Sequence, residues 1–133
     1  MTSVVTGPVV EETAKGIGVL ALILAARKVL DRPAQGGVLG ALVGLGFAWG
    51  EDIGYSVSAL EDGMSGLWES FLARALLGAY GHAIFTGVFG YALAWAVLRA
   101  RNAIVGFLAA AGGFVGALAL HAQANGVGFL APE

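Results

Sequence analysis

Residues 8–26 read PVVEETAKGIGVLALILAA. Eleven uncharged, largely aliphatic residues, 16–26, follow directly on Glu11, Glu12 and Lys15. The run is rich in Leu, Ile and Ala and reads as a helix that buries itself on every side. Three charges in the turn before it are costly unless they have a task. That pairing of an apolar helix with charged residues decides both the fold class and where to look for chemistry.

The rest of the chain repeats the pattern. Of its 133 residues 58% are hydrophobic and only 12% are charged, with a mean hydropathy of +0.82. Soluble domains average about 25% charged residues, because water must be met by polar groups. A bilayer is therefore the expected solvent. One domain fits the length. A hydrocarbon core takes roughly 20 helical residues to cross, and four spans are expected at 9–30, 36–60, 71–98 and 102–123. The expected fold is an all-α, polytopic transmembrane bundle of about four helices. Pro33 is expected to stop the first span. The apolar tail from Gly126 to Ala131 is too short to cross and is expected at the interface.

Charge sets the expected orientation. Arg27, Lys28 and Arg32 sit in the first connection, and Arg99 and Arg101 in the third. Five of the seven basic residues thus fall on one side, the cytoplasmic side by the positive-inside rule. Both termini and the acidic middle loop (Glu61, Asp62, Glu69) then face outward. Met1 to Val10 do not form a signal peptide, so the helices themselves direct insertion. The formal net charge of −2 offers no basic surface for nucleic acid, and the absence of cysteine excludes disulfides and thiolate metal sites.

Glycine, at 22 residues, suits close helix packing. Gly36, Gly40 and Gly44 recur at i+4, as do Gly46, Gly50 and Gly54 on another face, and Gly112 and Gly116 in the last span. The second span is expected to be a tightly packed central helix. Trp49, Trp68, Trp95, Tyr55, Tyr80 and Tyr91 read as packing and interfacial anchors.

Ionisable residues inside spans are functional candidates by default. With a rise of about 1.5 Å per residue, Glu51 lies roughly 22 Å from the cytoplasmic start of the second span. His82 lies roughly 16 Å below the outward start of the third, and His121 about 28 Å up the fourth. With Glu11 and Glu12 near the outward end of the first span, four helices offer carboxylates and imidazoles to one outer zone. Glu11 and Lys15 are i,i+4 neighbours and can pair, which would leave Glu12 freer to work. Asn125, one turn after His121, could fix the His121 tautomer. Asp52 reads either as a partner to the site or as facing an aqueous cavity. Arg74 reads as snorkelling outward or as neutralising a buried carboxylate.

Such a set suits hydrolysis by an activated water, with a carboxylate as general base. Glu51, His82 and His121 could instead hold a divalent metal such as zinc. No HExxH is present, so a metal site would be assembled across helices. Buried Glu and His also build proton relays, so a small proton-coupled transporter is the alternative from another class. A third reading is a non-catalytic scaffold, insensitive to Glu51→Gln.

PVVEETAK (8–15), GLGFAWGEDIGY (44–55), RALLGAYGHAIFTGVFGYALAWA (74–96) and ALHAQAN (119–125) together resemble the PrsW-type intramembrane proteases. These belong to the superfamily that includes the CAAX prenyl proteases and the multipass scaffold subunit of gamma-secretase. The resemblance covers roughly residues 8–125 and rests on EExxK, FxxxE, a His before a Gly-rich turn, and HxxxN in that order. It implies a protease in a bacterial plasma membrane that cleaves a membrane-anchored protein such as an anti-sigma factor. Glu11, Glu12, Glu51, His82 and His121 would be its catalytic set, with Lys15, Arg74 and Asn125 in support. The family is classed with metalloproteases, and its relatives are also described as glutamate-dependent without an essential metal. Family members usually carry further helices before EExxK. A shortened form is therefore expected, inactive alone if a partner helix or a second copy must complete it.

Overall fold

The computed structural model describes residues 2–74 and 78–130. They are helical, with no strand among the described residues: α1 Thr2–Ala26, α2 Pro33–Ala59, a single 3₁₀ turn Leu60–Asp62, α3 Gly63–Ala73, α4 Ala79–Arg99 and α5 Ala103–Leu130. α1, α2, α4 and α5 fall on the four expected spans. By length and composition, α4 and α5 are apolar enough to cross a membrane. α1 and α2 have the length, 25 and 27 residues. However, α1 carries Glu11, Glu12 and Lys15, and glycine dilutes the apolar run of α2.

Several boundaries differ from those expected, each for a local reason. Pro33 does not stop the first helix; it opens the second. Its missing N–H costs nothing at a first helical position, and Gln35 Oε1 accepts from the backbone N–H groups of Asp31 (2.9 Å) and Arg32 (3.0 Å) just ahead of it. The first helix closes earlier, at Ala26, with Val29 and Leu30 N–H both bonded to the Ala26 carbonyl. The acidic middle connection is not an open loop. It reverses through Gly63, whose φ of 81° favours glycine, into the short α3. Phe71, the expected start of the third span, lies on α3; residues 75–77 of that span fall outside the described residues. Gly126–Leu130 continue α5 rather than forming a separate tail, and Ala131 is outside the described residues. Asn102 Oδ1 caps α5 at Val105 N–H, 2.9 Å.

α2 and α4 form the closest pair. Gly36, Gly40 and Gly44 are buried, and a Cβ at each would run into α4 backbone: the carbonyls of Gly90, Thr86 and His82 in turn. The stripe is therefore a contact surface in which backbone meets backbone. The Gly46, Gly50 and Gly54 stripe meets nothing within 4 Å. In α5 the close approach is made by Gly113 against Ala92, while Gly112 faces open space.

α1 packs against α2, α4 and α5. One of its faces runs Glu12, Lys15, Val19, Ile23, all buried. Val19 and Ile23 pack with Leu93 and Ala94 of α4, backed by Leu30, Leu39, Val43, Phe89 and Ala110. At this end Arg99 Nη2 donates to the Asp31 carbonyl at 3.2 Å, tying the end of α4 to the α1–α2 turn. The polar half of the same face lies at the opposite end.

Candidate active site

Glu11, Glu12 and Lys15 are carried on successive turns of α1, Glu51 on α2, His82 and Thr86 on α4, and His121 on α5. Glu12, Lys15, His82, Thr86 and His121 are buried. Side chains from four helices thus meet at one level of the bundle, and the sequence candidates Glu11, Glu12, Lys15, Glu51, His82 and His121 form a single connected cluster.

Lys15 is its hub. Its Nζ donates to His82 Nδ1 (2.7 Å), Glu12 Oε1 (2.8 Å) and Glu11 Oε2 (3.3 Å), and lies 4.3 Å from the centre of the Phe47 ring. An ammonium has three protons, and all three have an acceptor. Because an ammonium only donates, His82 Nδ1 must accept, and a neutral His82 carries its proton on Nε2. That nitrogen lies 3.2 Å from Glu51 Oε2. Glu51 Oε2 is sealed from solvent, yet no hydrogen bond is aimed at it among the described residues.

Glu12 is fully engaged. Besides Lys15, it accepts from His121 Nδ1 at 3.0 Å and from Thr86 Oγ1 at 3.3 Å. A carboxylate only accepts, so His121 Nδ1 is the protonated nitrogen and its Nε2 keeps a lone pair. That lone pair faces the site, 3.7 Å from Glu11 Oε2. The same Glu11 oxygen is 3.9 Å from His82 Nδ1. Glu11 keeps 20% of its side chain exposed, against 2% for Glu12. The spacing suggests that Lys15 pairs with Glu11 and leaves Glu12 freer; the Glu11 pair forms, but Lys15 meets Glu12 more closely and Glu12 is the more engaged carboxylate.

Aromatic walls complete the centre. Phe85 stacks on His121 with ring centres 5.1 Å apart and planes 24° apart, and the two imidazoles meet edge to face at 4.9 Å. Sequence spacing carries a faint signal for Thr86, one turn from His82, and none for the Phe85–His121 stack, which depends on how α4 meets α5.

The outer rim is held by Arg74. Its Nε donates to Asp52 Oδ1 at 3.0 Å, its Nη2 lies 3.3 Å from Glu51 Oε2, and its guanidinium sits 3.6 Å from the centre of the Tyr55 ring. Asp52 is therefore a partner within the cluster, and Arg74 offsets a buried carboxylate. A cavity lined by Glu51, Gly54, Tyr55 and Ser58 opens beside them. Asn125 is exposed and makes no hydrogen bond to His121; Glu12 orients that ring instead.

One carboxylate and two imidazoles, from Glu11, His82 and His121, bring ligand atoms within 4.8 Å of one another, a set able to hold a metal ion. Two imidazoles and a carboxylate are a donor set of catalytic zinc sites, and the Lys15 ammonium beside His82 Nδ1 and Glu11 Oε2 shows that the place suits a cation. The donors fit a divalent ion in kind and spacing. Glu51, the carboxylate expected in that set, meets His82 at its other nitrogen.

Compared with known proteins, residues 1–132 match the family described as PrsW family intramembrane metalloprotease. No curated protein and no solved structure matches the chain.

Proposed function

The chain belongs to the PrsW family of intramembrane metalloproteases, and we propose that its Glu/His centre hydrolyses a peptide bond in a membrane-anchored protein, of the anti-sigma-factor type, with Glu11 as the carboxylate that meets the water. Family membership and two helices apolar enough to cross a bilayer make it a membrane protein of a protease family. The observation that carries the assignment of Glu11 is the contrast between adjacent glutamates. Glu12 is saturated by Lys15, His121 and Thr86, whereas Glu11 is partly exposed and lies within 4 Å of both imidazoles.

In this reading Glu11 Oε2 accepts a proton from water as the water oxygen attacks the peptide carbonyl carbon. The C–N bond then breaks, and the proton passes from Glu11 to the leaving nitrogen. Proton transfer by a positioned side chain contributes typically about 10²–10⁴-fold to rate. Glu12 holds His121 with its lone pair toward Glu11, and Lys15 holds His82. The Lys15 charge, 3.3 Å from Glu11, favours negative charge developing nearby. A divalent cation such as zinc, held by Glu11, His82 and His121, would supply Lewis-acid activation of a bound water. Either way Glu11 is next to the reacting water.

The test is cleavage of a single-pass substrate by the purified full chain in liposomes. Glu11→Gln and His82→Ala are each expected to lower cleavage by at least about 10²-fold, with Glu11→Gln melting close to the unmodified protein. Cleavage retained in Glu11→Gln overturns the assignment. Proton-driven uptake without cleavage would favour a carrier instead.

A further inference from the structure

We propose that Lys15 is a built-in counter-cation that closes the Glu11–His82–His121 site to divalent metal, so that the Lys15 ammonium and an ion occupy the site in alternation. An imidazole nitrogen has one lone pair in the ring plane. At His82 Nδ1 it already accepts from Lys15 Nζ at 2.7 Å. A zinc–imidazole bond of about 2.0–2.1 Å would use that same pair. Lys15 also binds Glu11 Oε2 at 3.3 Å, so one ammonium engages two of the three donors. The third, His121 Nε2, is left untouched, and its lone pair is fixed toward the site by Glu12 at the other nitrogen.

The chemistry of Lys15 suits such a role. Its side chain is fully buried, all three protons are used, and Phe47 covers it. With its charge in place, the buried Glu12 carboxylate has a counter-charge without an ion, unlike sites where metal binding is itself the folding energy. A flexible four-carbon stem lets the ammonium withdraw without backbone movement. The centre therefore has two occupied states, one filled from within and one filled by an ion. This concerns cation binding alone and holds with or without peptide hydrolysis.

The experiment is zinc titration of the full chain in detergent micelles, followed by calorimetry. Lys15→Met is expected to bind zinc at least tenfold more tightly than the unmodified protein, and adding Glu11→Gln should remove the gain. Because Lys15→Met leaves Glu12 uncompensated, the comparison is repeated in Glu12→Gln/Lys15→Met, which retains all three donors and drops the orphaned charge. Equal zinc affinity in the unmodified protein and the double variant overturns the proposal. So does a gain that survives Glu11→Gln, because the ion would then lie elsewhere.

Discussion

The two ends of the bundle are built by the same helix faces and could hardly differ more. Along α1 the buried face passes from Glu12 and Lys15 to Val19 and Ile23; along α4 it passes from His82 and Thr86 to Leu93 and Ala94. At the apolar end, packing holds the helices, and in a bilayer packing has little hydrophobic force behind it because lipid is as apolar as leucine. At the polar end, one ammonium satisfies three acceptors, and Glu12 in turn accepts from His121 and Thr86. The polar end, the proposed chemical centre, is therefore also an energetic clasp, with failure concentrated in one residue.

Substitutions sharpen that contrast, read as denaturation of the detergent-solubilised chain. The largest effect is expected from Lys15→Ala, about 3–5 kcal/mol, because removing one partner leaves buried charge uncompensated. Adding Glu12→Gln should recover part of the loss; no recovery would mean that Lys15 acts through packing alone. Next is Gly40→Ala, about 3 kcal/mol, since its Cβ would meet the Thr86 carbonyl and force α2 from α4. Gly46→Ala, which meets nothing, should stay within about 0.5 kcal/mol.

Ile23→Ala, at the apolar end, should cost about 2 kcal/mol, the low end for such truncations, because the lipid-embedded reference state is as apolar as the core. A cost equal to that of Lys15→Ala would erase the proposed difference between the ends. A smaller loss than at Ile23 is expected from Arg74→Gln at the rim, about 1 kcal/mol, because the Arg74 side chain is itself partly exposed and its ion pairs are screened.

The assignment of Glu11 and Glu12 shows where spacing stops being informative. Lys15 has neighbours at both i−3 and i−4, and helix geometry lets it reach either. The i,i+4 rule points to Glu11. The closer contact goes to Glu12 because Thr86 and His121, from two other helices, fix that carboxylate from its far side. Asn125 failed in the same way: its spacing from His121 is right, but it points out of the bundle.

From the sequence one could read the all-helical fold, the approximate positions of four long helices and Glu11, Glu12, Glu51, His82 and His121 as one candidate group. Hydropathy and a fixed helical rise suffice for those, since they are properties of single segments. Packing between segments set which glycine stripe is a contact, which imidazole nitrogen faces which carboxylate, and the central place of Lys15. Those follow from how helices rotate about their own axes against one another, and that rotation is set by backbone contacts such as Gly44 against His82, which link residues far apart in the chain.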